Sequence, residues 1–332
     1  MGHFARTSFS VSHFERSRRV RTVLRCAGAV AILGVCVALL CRHVDLAALG
    51  AALRGADYRL VLLMTTAHLA LFLLVKAWRW RILLAPIQRL PLGKLYQYCL
   101  AGCAITNLFP ARAGQAVRVA LLRRDGVPVV GSVGTLVLEE VGNAAVLGLL
   151  CLPLPFLLPL PAHVRLTLAL VAGGATTALV LLGWLARAWK SRSGGLLRAV
   201  AQGLAILCER RAAGSVLVLT IMMWLVDLGQ IALAMRAVGL LPSYAGIALV
   251  LLMVNVTNAF PVTPGQVGLF EAGAAAACVV VGASPEQGVA VGVLYHVMQL
   301  VPETAIGLAV LSQDTLARAW RDGTQVGAVA RR

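Results

Sequence analysis

Arginines and carboxylates stand inside stretches that are otherwise apolar. Arg112 and Arg118 flank an interruption at Asn107, Pro110 and Gly114. A forked guanidinium suits two-point contact with a phosphate. The alternative is that both side chains reach back to a membrane interface. Glu139 and Glu140 lie well inside the next apolar stretch. An unpaired carboxylate there would cost several kcal/mol or take up a proton, so pairing with Arg112 or Arg118 is expected. Glu271 follows a second interruption at Asn258, Pro261, Pro264, Gly265 and Gly268, and is placed to answer Arg118 with opposite charge. His296 and Glu303 are seven residues apart and share a helix face. With Glu271 they could relay protons, or they could be a packing pair. Asp227 is a further candidate.

These groups are held by a chain whose composition points to lipid. Of 332 residues, 60% are hydrophobic and 13% charged, with a mean hydropathy of +0.86. Soluble domains are about a quarter charged. The apolar residues come in blocks near the ~20 residues a membrane helix needs. Six spans are expected: roughly 23–41, 60–77, 131–151, 164–186, 215–235 and 289–311. A run of prolines, Pro153 to Pro161, follows the third. Trp78 and Trp80, beside Lys76, Arg79 and Arg81, read as an interfacial anchor. Gly288 and Gly292 form a G-x-x-x-G pattern suited to close helix packing.

The formal charge is +17. With the N-terminus inside, only Arg42, Arg54, Arg59, Arg165 and Arg236 fall on outer segments, apart from Arg112 and Arg118 within the first interruption. This bias follows the positive-inside rule and puts both termini in the cytoplasm. It also accounts for the charge without nucleic acid. Residues 1–22 then form a basic tail, 23–312 the membrane domain and 313–332 a second tail.

The two interrupted stretches resemble each other. Thr106-Asn-Leu-Phe-Pro-Ala-Arg-Ala-Gly-Gln115 aligns with Thr257-Asn-Ala-Phe-Pro-Val-Thr-Pro-Gly-Gln266, sharing Thr, Asn, Phe, Pro, Gly and Gln. The repeated motifs extend over 106–118 and 257–271. The segment from Gln115 to Arg124 is too short to cross a bilayer, so 93–124 reads as a re-entrant hairpin. The halves of the second, 244–261 and 265–282, are each nearly long enough to cross. Three spans separate the copies, an odd number, so the hairpins enter from opposite sides. The expected fold is therefore an all-α polytopic membrane protein: six spans plus two broken helical hairpins in inverted repeat. Transporters use such breaks to offer helix ends and polar side chains, here including Asn107 and Asn258, to a headgroup or ion. The plainer alternative is that the motifs cap helices in loops.

Soluble-enzyme signatures are missing: there is no P-loop, G-x-G-x-x-G after a strand, G-x-S-x-G or H-E-x-x-H. The eight cysteines and remaining histidines, His68 among them, show no metal-ligand spacing. No cofactor, metal site or catalytic residue is expected.

On Arg79-Trp80 with Leu83-Leu84, on Asn107, Pro110, Arg112, Gly114, Arg118 and Glu139, and on Asn258, Pro261, Pro264, Gly265, Gly268 and Glu271, the chain resembles the transmembrane region of lysylphosphatidylglycerol synthases. It likewise resembles the related flippase-like membrane proteins of bacteria and archaea. The resemblance covers residues 20–312 and implies residence in the cytoplasmic membrane and movement of an anionic or lipid-linked headgroup between leaflets. Two-part members carry a soluble synthase domain after the membrane region, and none is visible in these residues. Departures from the family pattern fall at Gln115, Glu140 and Asn143: carboxylates are lost at the first and last and one is gained at Glu140. Two other expectations stay open. One is a membrane-embedded lipid-modifying enzyme with paired carboxylates. The other is an accessory subunit, with a lipid-synthesis enzyme or a second copy as partner.

Overall fold

The computed structural model describes residues 44–109, 113–158, 162–189, 206, 209–259 and 263–329. The expected first span, the tail before it, Pro110, Arg112 and Pro261 lie outside them. Ten main helices follow in order: α1 (Leu46–Arg54), α2 (Tyr58–Leu84), α3 (Leu92–Leu108), α4 (Ala113–Arg124), α5 (Val129–Cys151), α6 (Ala162–Trp189), α7 (Arg210–Ala237), α8 (Tyr244–Asn258), α9 (Leu269–Val280) and α10 (Pro285–Val329). The described residues contain no strand.

Local chemistry sets several of the boundaries. The Asp45 carboxylate accepts from the Ala47 amide at 2.8 Å, Asp57 accepts from Arg59 at 2.9 Å, and the Ser243 hydroxyl accepts from Gly246 at 3.1 Å. Each satisfies a backbone donor that a helix start leaves free. Pro91 and Pro128 stand immediately before α3 and α5, where a missing N–H costs nothing. α2 carries one π-helical turn, His68–Phe72.

Among the described residues, four helical segments are long and apolar enough to cross a membrane: Tyr58–Leu84, Val129–Leu157, Arg210–Ala237 and Pro285–Gln313. The second expected span therefore continues past Ala77 to Leu84. This places Arg79 and Trp80 inside the protein, 1% and 0% exposed. Trp80 is thus no interfacial anchor, whereas Trp78 is half exposed and faces outward.

Helices α3 and α4 form an antiparallel hairpin. Lys94, at the start of α3, reaches Asp125, just past α4, at 2.5 Å, and Tyr98 donates to the same carboxylate at 2.9 Å. Gly114 is what lets the arms close. A Cβ there would lie 1.8 Å from the Gly102 carbonyl oxygen. Helices α8 and α9 form a second hairpin: Gly246, in the first turn of α8, lies against Val281, just past α9, and Gly273 lies against Thr257. The arms are ~25 and ~18 Å long in the first hairpin and ~22 and ~18 Å in the second, at 1.5 Å per residue. All are shorter than a ~30 Å hydrocarbon core.

α10 ties the hairpins together. Its early residues Gly288 and Gly292 pack on Ala275, Ala274 and Glu271 of α9, while Gly307 packs on Leu100 and Ala104 of α3. The base of the second hairpin thus lies at the start of α10. The base of the first lies farther along, where Val310 and Leu311 share a crevice with Lys94 and Tyr98. The hairpins therefore rest on different stretches of the apolar part of α10, Pro285–Gln313, and meet between them, near Leu300. There Gly265, at φ +58°, faces the Asn107 carbonyl and the Leu300 side chain, closer than a Cβ would permit. Each hairpin has its own apolar cluster, one including Leu83, Leu95 and Leu122, the other Leu251, Ala274 and Val291. Polar residues concentrate between them.

Candidate functional site

The first polar group is a buried triad. Glu139 sits between two guanidiniums, 2.8 Å from Arg118 Nη2 and 3.1 Å from Arg79 Nη2. Arg118 also donates to Gln115 Oε1 at 3.0 Å and lies 3.9 Å over the Trp80 ring, a cation–π arrangement. Arg79 donates to Asn143 Oδ1 at 2.5 Å and to Thr220 Oγ1 at 3.1 Å. Gly102 is small because the Arg118 methylenes cross it; a Cβ there would meet Arg118 Cγ at 2.8 Å. Two cations around one carboxylate leave the triad one positive charge in excess.

Glu140, one residue on, points elsewhere and accepts from Gln115 Nε2 at 3.1 Å. The two glutamates are therefore held by different partners. Sequence order could not separate them, because adjacent helical residues point about 100° apart and only packing decides which face is inward.

Two histidine–carboxylate pairs lie where the hairpin tips meet. Glu303 is bound by His68 Nε2 at 2.9 Å, from the π-helical turn of α2. Glu271 is bound by His296 Nδ1 at 2.7 Å and accepts the Gly268 amide at 2.6 Å, capping α9. His296 and Glu303 thus share a helix face but take different partners. Asn107 joins the group by donating to Thr304 Oγ1 at 3.0 Å and, more weakly, to Glu303 Oε2 at 3.5 Å. Asp227, on α7, accepts the Tyr295 hydroxyl.

Arg118, Glu140, His68, Glu303 and Asp227 line a cavity of about 280 Å³. Both hairpins contribute to its wall: Thr106, Asn107, Gly114, Gln115 and Arg118 from the first, Asn258, Gln266 and Phe270 from the second. A smaller space of about 90 Å³ adjoins it, bounded by Gly265, His296 and Leu300 and sharing Asn107, Asn258 and Glu303. Lys76 lines the cavity from α2 and, among the described residues, takes part in no hydrogen bond or ion pair. The carbonyl oxygens of Asn258 and Gln266 are buried without a partner, as is Nε of Arg118. Such groups are uncommon in a settled interior.

Sequence reasoning missed Lys76, Arg79 and His68. Lys76 and Arg79 fall at the end of the expected span 60–77 and read there only as the basic company of an interfacial anchor. His68 had no sequence neighbour of ligating type, and its partner lies 235 positions away. A basic pair four turns into an apolar block was the available signal. Arg112 lies outside the described residues.

The model of the lysylphosphatidylglycerol synthase TM region matches residues 26–307. The chain belongs to that family. No curated protein matches it. The family's transmembrane region takes in both hairpins, the triad and the cavity, and with four long apolar helices it makes this a membrane-integral protein. Among the described residues no group of His, Cys, Asp and Glu is arranged to hold a metal ion.

Proposed function

We propose that the protein is a lipid translocase that carries a phosphate-bearing headgroup between the leaflets of the cytoplasmic membrane, past two re-entrant hairpins in inverted repeat, with both termini cytoplasmic. The observation that carries this reading is the cavity between the hairpin tips, near the middle of the apolar segment Pro285–Gln313. Broken backbone and polar side chains at such depth are tolerated where they line a polar space inside protein.

The bonding capacity of the cavity suggests what it takes. Glu303, Asp227 and Glu140 already accept hydrogen bonds from His68, Tyr295 and Gln115. Among the described residues, the Lys76 ammonium and the amide oxygens of Asn258 and Gln266 are uncommitted groups of the lining. A phosphate would answer the ammonium, and hydroxyl or amino donors would answer the oxygens. An anionic phospholipid with a hydrogen-bonding headgroup combines the two. The lipid-modifying enzyme is the weaker reading, because Glu139 is engaged by two arginines and Glu140 by Gln115.

The test is leaflet-resolved analysis of labelled phosphatidylglycerol in vesicles containing the purified protein. Wild-type vesicles are expected to equilibrate the label faster than empty ones. Lys76→Gln should slow this by about tenfold or more, the loss of one charge-assisted hydrogen bond, while leaving folding intact because no protein partner is abandoned. Equal rates in wild-type and empty vesicles would overturn the proposal.

A further inference from the structure

A second concavity lies on the outer side of the first hairpin. It is an open groove of about 370 Å³ between α4 and α5. Ala116 and Val119 form one wall, and Val133, Leu136, Val137 and Val141 the other. Val133 and Val137 are each 44% exposed and belong to a helix long and apolar enough to span a membrane, so they face the lipid hydrocarbon.

Only two residues of this groove are polar, Gln115 and Glu140, and both also line the internal cavity. Their side chains are hydrogen-bonded to each other at 3.1 Å. Among the described residues these two side chains are what the polar interior and the apolar groove share. Gln115 is in turn held by Arg118, through the same side chain's other end.

We propose that the α4–α5 groove is a lateral doorway that holds one acyl chain of the lipid whose phosphate enters the cavity, with the Gln115–Glu140 pair as its latch. The inference rests on the translocase reading and adds to it the route and the seat of the tail. A phospholipid cannot place its headgroup in a polar cavity without leaving its chains in an apolar space joined to that cavity. The α4–α5 groove is such a space. The other apolar crevice, about 250 Å³ between α5, α6 and α7, shares no lining residue with the cavity. The latch is chemically suited to opening: it joins a neutral amide to a half-buried carboxylate, and an entering phosphate competes for the Arg118 side chain that holds Gln115 in place. A headgroup passing the latch enters the cavity that Arg118 and Lys76 line.

The experiment uses the full chain in vesicles containing phosphatidylglycerol with a photoreactive diazirine at mid-chain. Adducts are mapped by mass spectrometry, and flipping of labelled phosphatidylglycerol is measured on the same preparations. The variants are Val137→Trp, which fills the groove, and Leu225→Trp, which puts the same side chain at an exposed position of α7. The doorway predicts adducts concentrated on Ala116, Val133 and Val137, their loss in Val137→Trp, and flipping slowed about tenfold, as for excluding two methylenes from an apolar site. Leu225→Trp should behave as wild type. Flipping by wild type with adducts spread evenly over outward-facing residues, and full activity in Val137→Trp, would overturn the doorway and leave the translocase standing. Concentrated, Val137-dependent adducts without flipping would keep the lipid seat and remove the translocase. Even labelling without flipping would remove both.

Discussion

Replacing Glu139 by glutamine tests how the centre of the first hairpin is held. The change is nearly isosteric, so its effect is electrostatic. Arg79 and Arg118 are 1% and 3% exposed, and Glu139 is the carboxylate that both contact. Breaking a buried ion pair from one side costs about 3–5 kcal/mol, because the abandoned charge stays desolvated. Here the lower end applies: Arg79 retains Asn143 and Thr220, and Arg118 retains Gln115 and the Trp80 face. At ~2 °C per kcal/mol for a chain of this size, a loss of about 3 kcal/mol lowers the melting point by about 6 °C. The assay can use the protein's own thiols. Cys99, Cys151 and Cys278 are free and buried, so a maleimide dye in detergent reports their exposure on unfolding. The triple variant Arg79→Met, Glu139→Leu, Arg118→Met removes all three charges and should recover part of the loss, since replacing a whole buried ionic group costs less than breaking it. Glu139→Gln melting with wild type, or a triple variant less stable than Glu139→Gln, would refute the reasoning.

Close backbone approach at the two breaks should make their glycines intolerant. Gly114→Ala would place a methyl 1.8 Å from the Gly102 carbonyl and should destabilise the protein by about 2–3 kcal/mol through forced separation of the hairpin arms, read in the same thiol assay; an unchanged melt would contradict the close approach. Gly265→Ala meets both a positive φ and the Asn107 carbonyl at 3.0 Å, and a loss of about 1–3 kcal/mol is expected from backbone strain alone. Glu303→Gln leaves His68 without its carboxylate and should slow lipid movement in vesicles more than Glu286→Gln, an exposed control at the start of α10; equal rates would separate the tip-to-tip polar cluster from function.

The two breaks, their shared motif and the all-helical class were legible because each is a property of neighbouring residues. A proline or glycine interrupts a helix wherever the chain goes, and a long apolar block demands lipid or burial regardless of partner. Arg118 and Glu139 were legible as a pair for a related reason: both are costly where they sit, and each is the other's cheapest remedy. The joining of His68 to Glu303, Glu271 to His296 and Gln115 to Glu140 was not. A polar side chain in an apolar helix announces that it needs a partner but carries no information about which helix will supply one.

What the sequence by itself determined, then, was that this chain would interrupt its helices twice, in similar words, and carry charge where hydrocarbon was expected. Only the tertiary structure decided that the two interruptions meet tip to tip along α10, that Lys76 and Arg79 turn inward, and that Glu139 and Glu140 part company. Helix breaks follow from local sterics and hydrogen bonding, whereas the rotation of each helix about its axis follows from side-chain packing against distant segments.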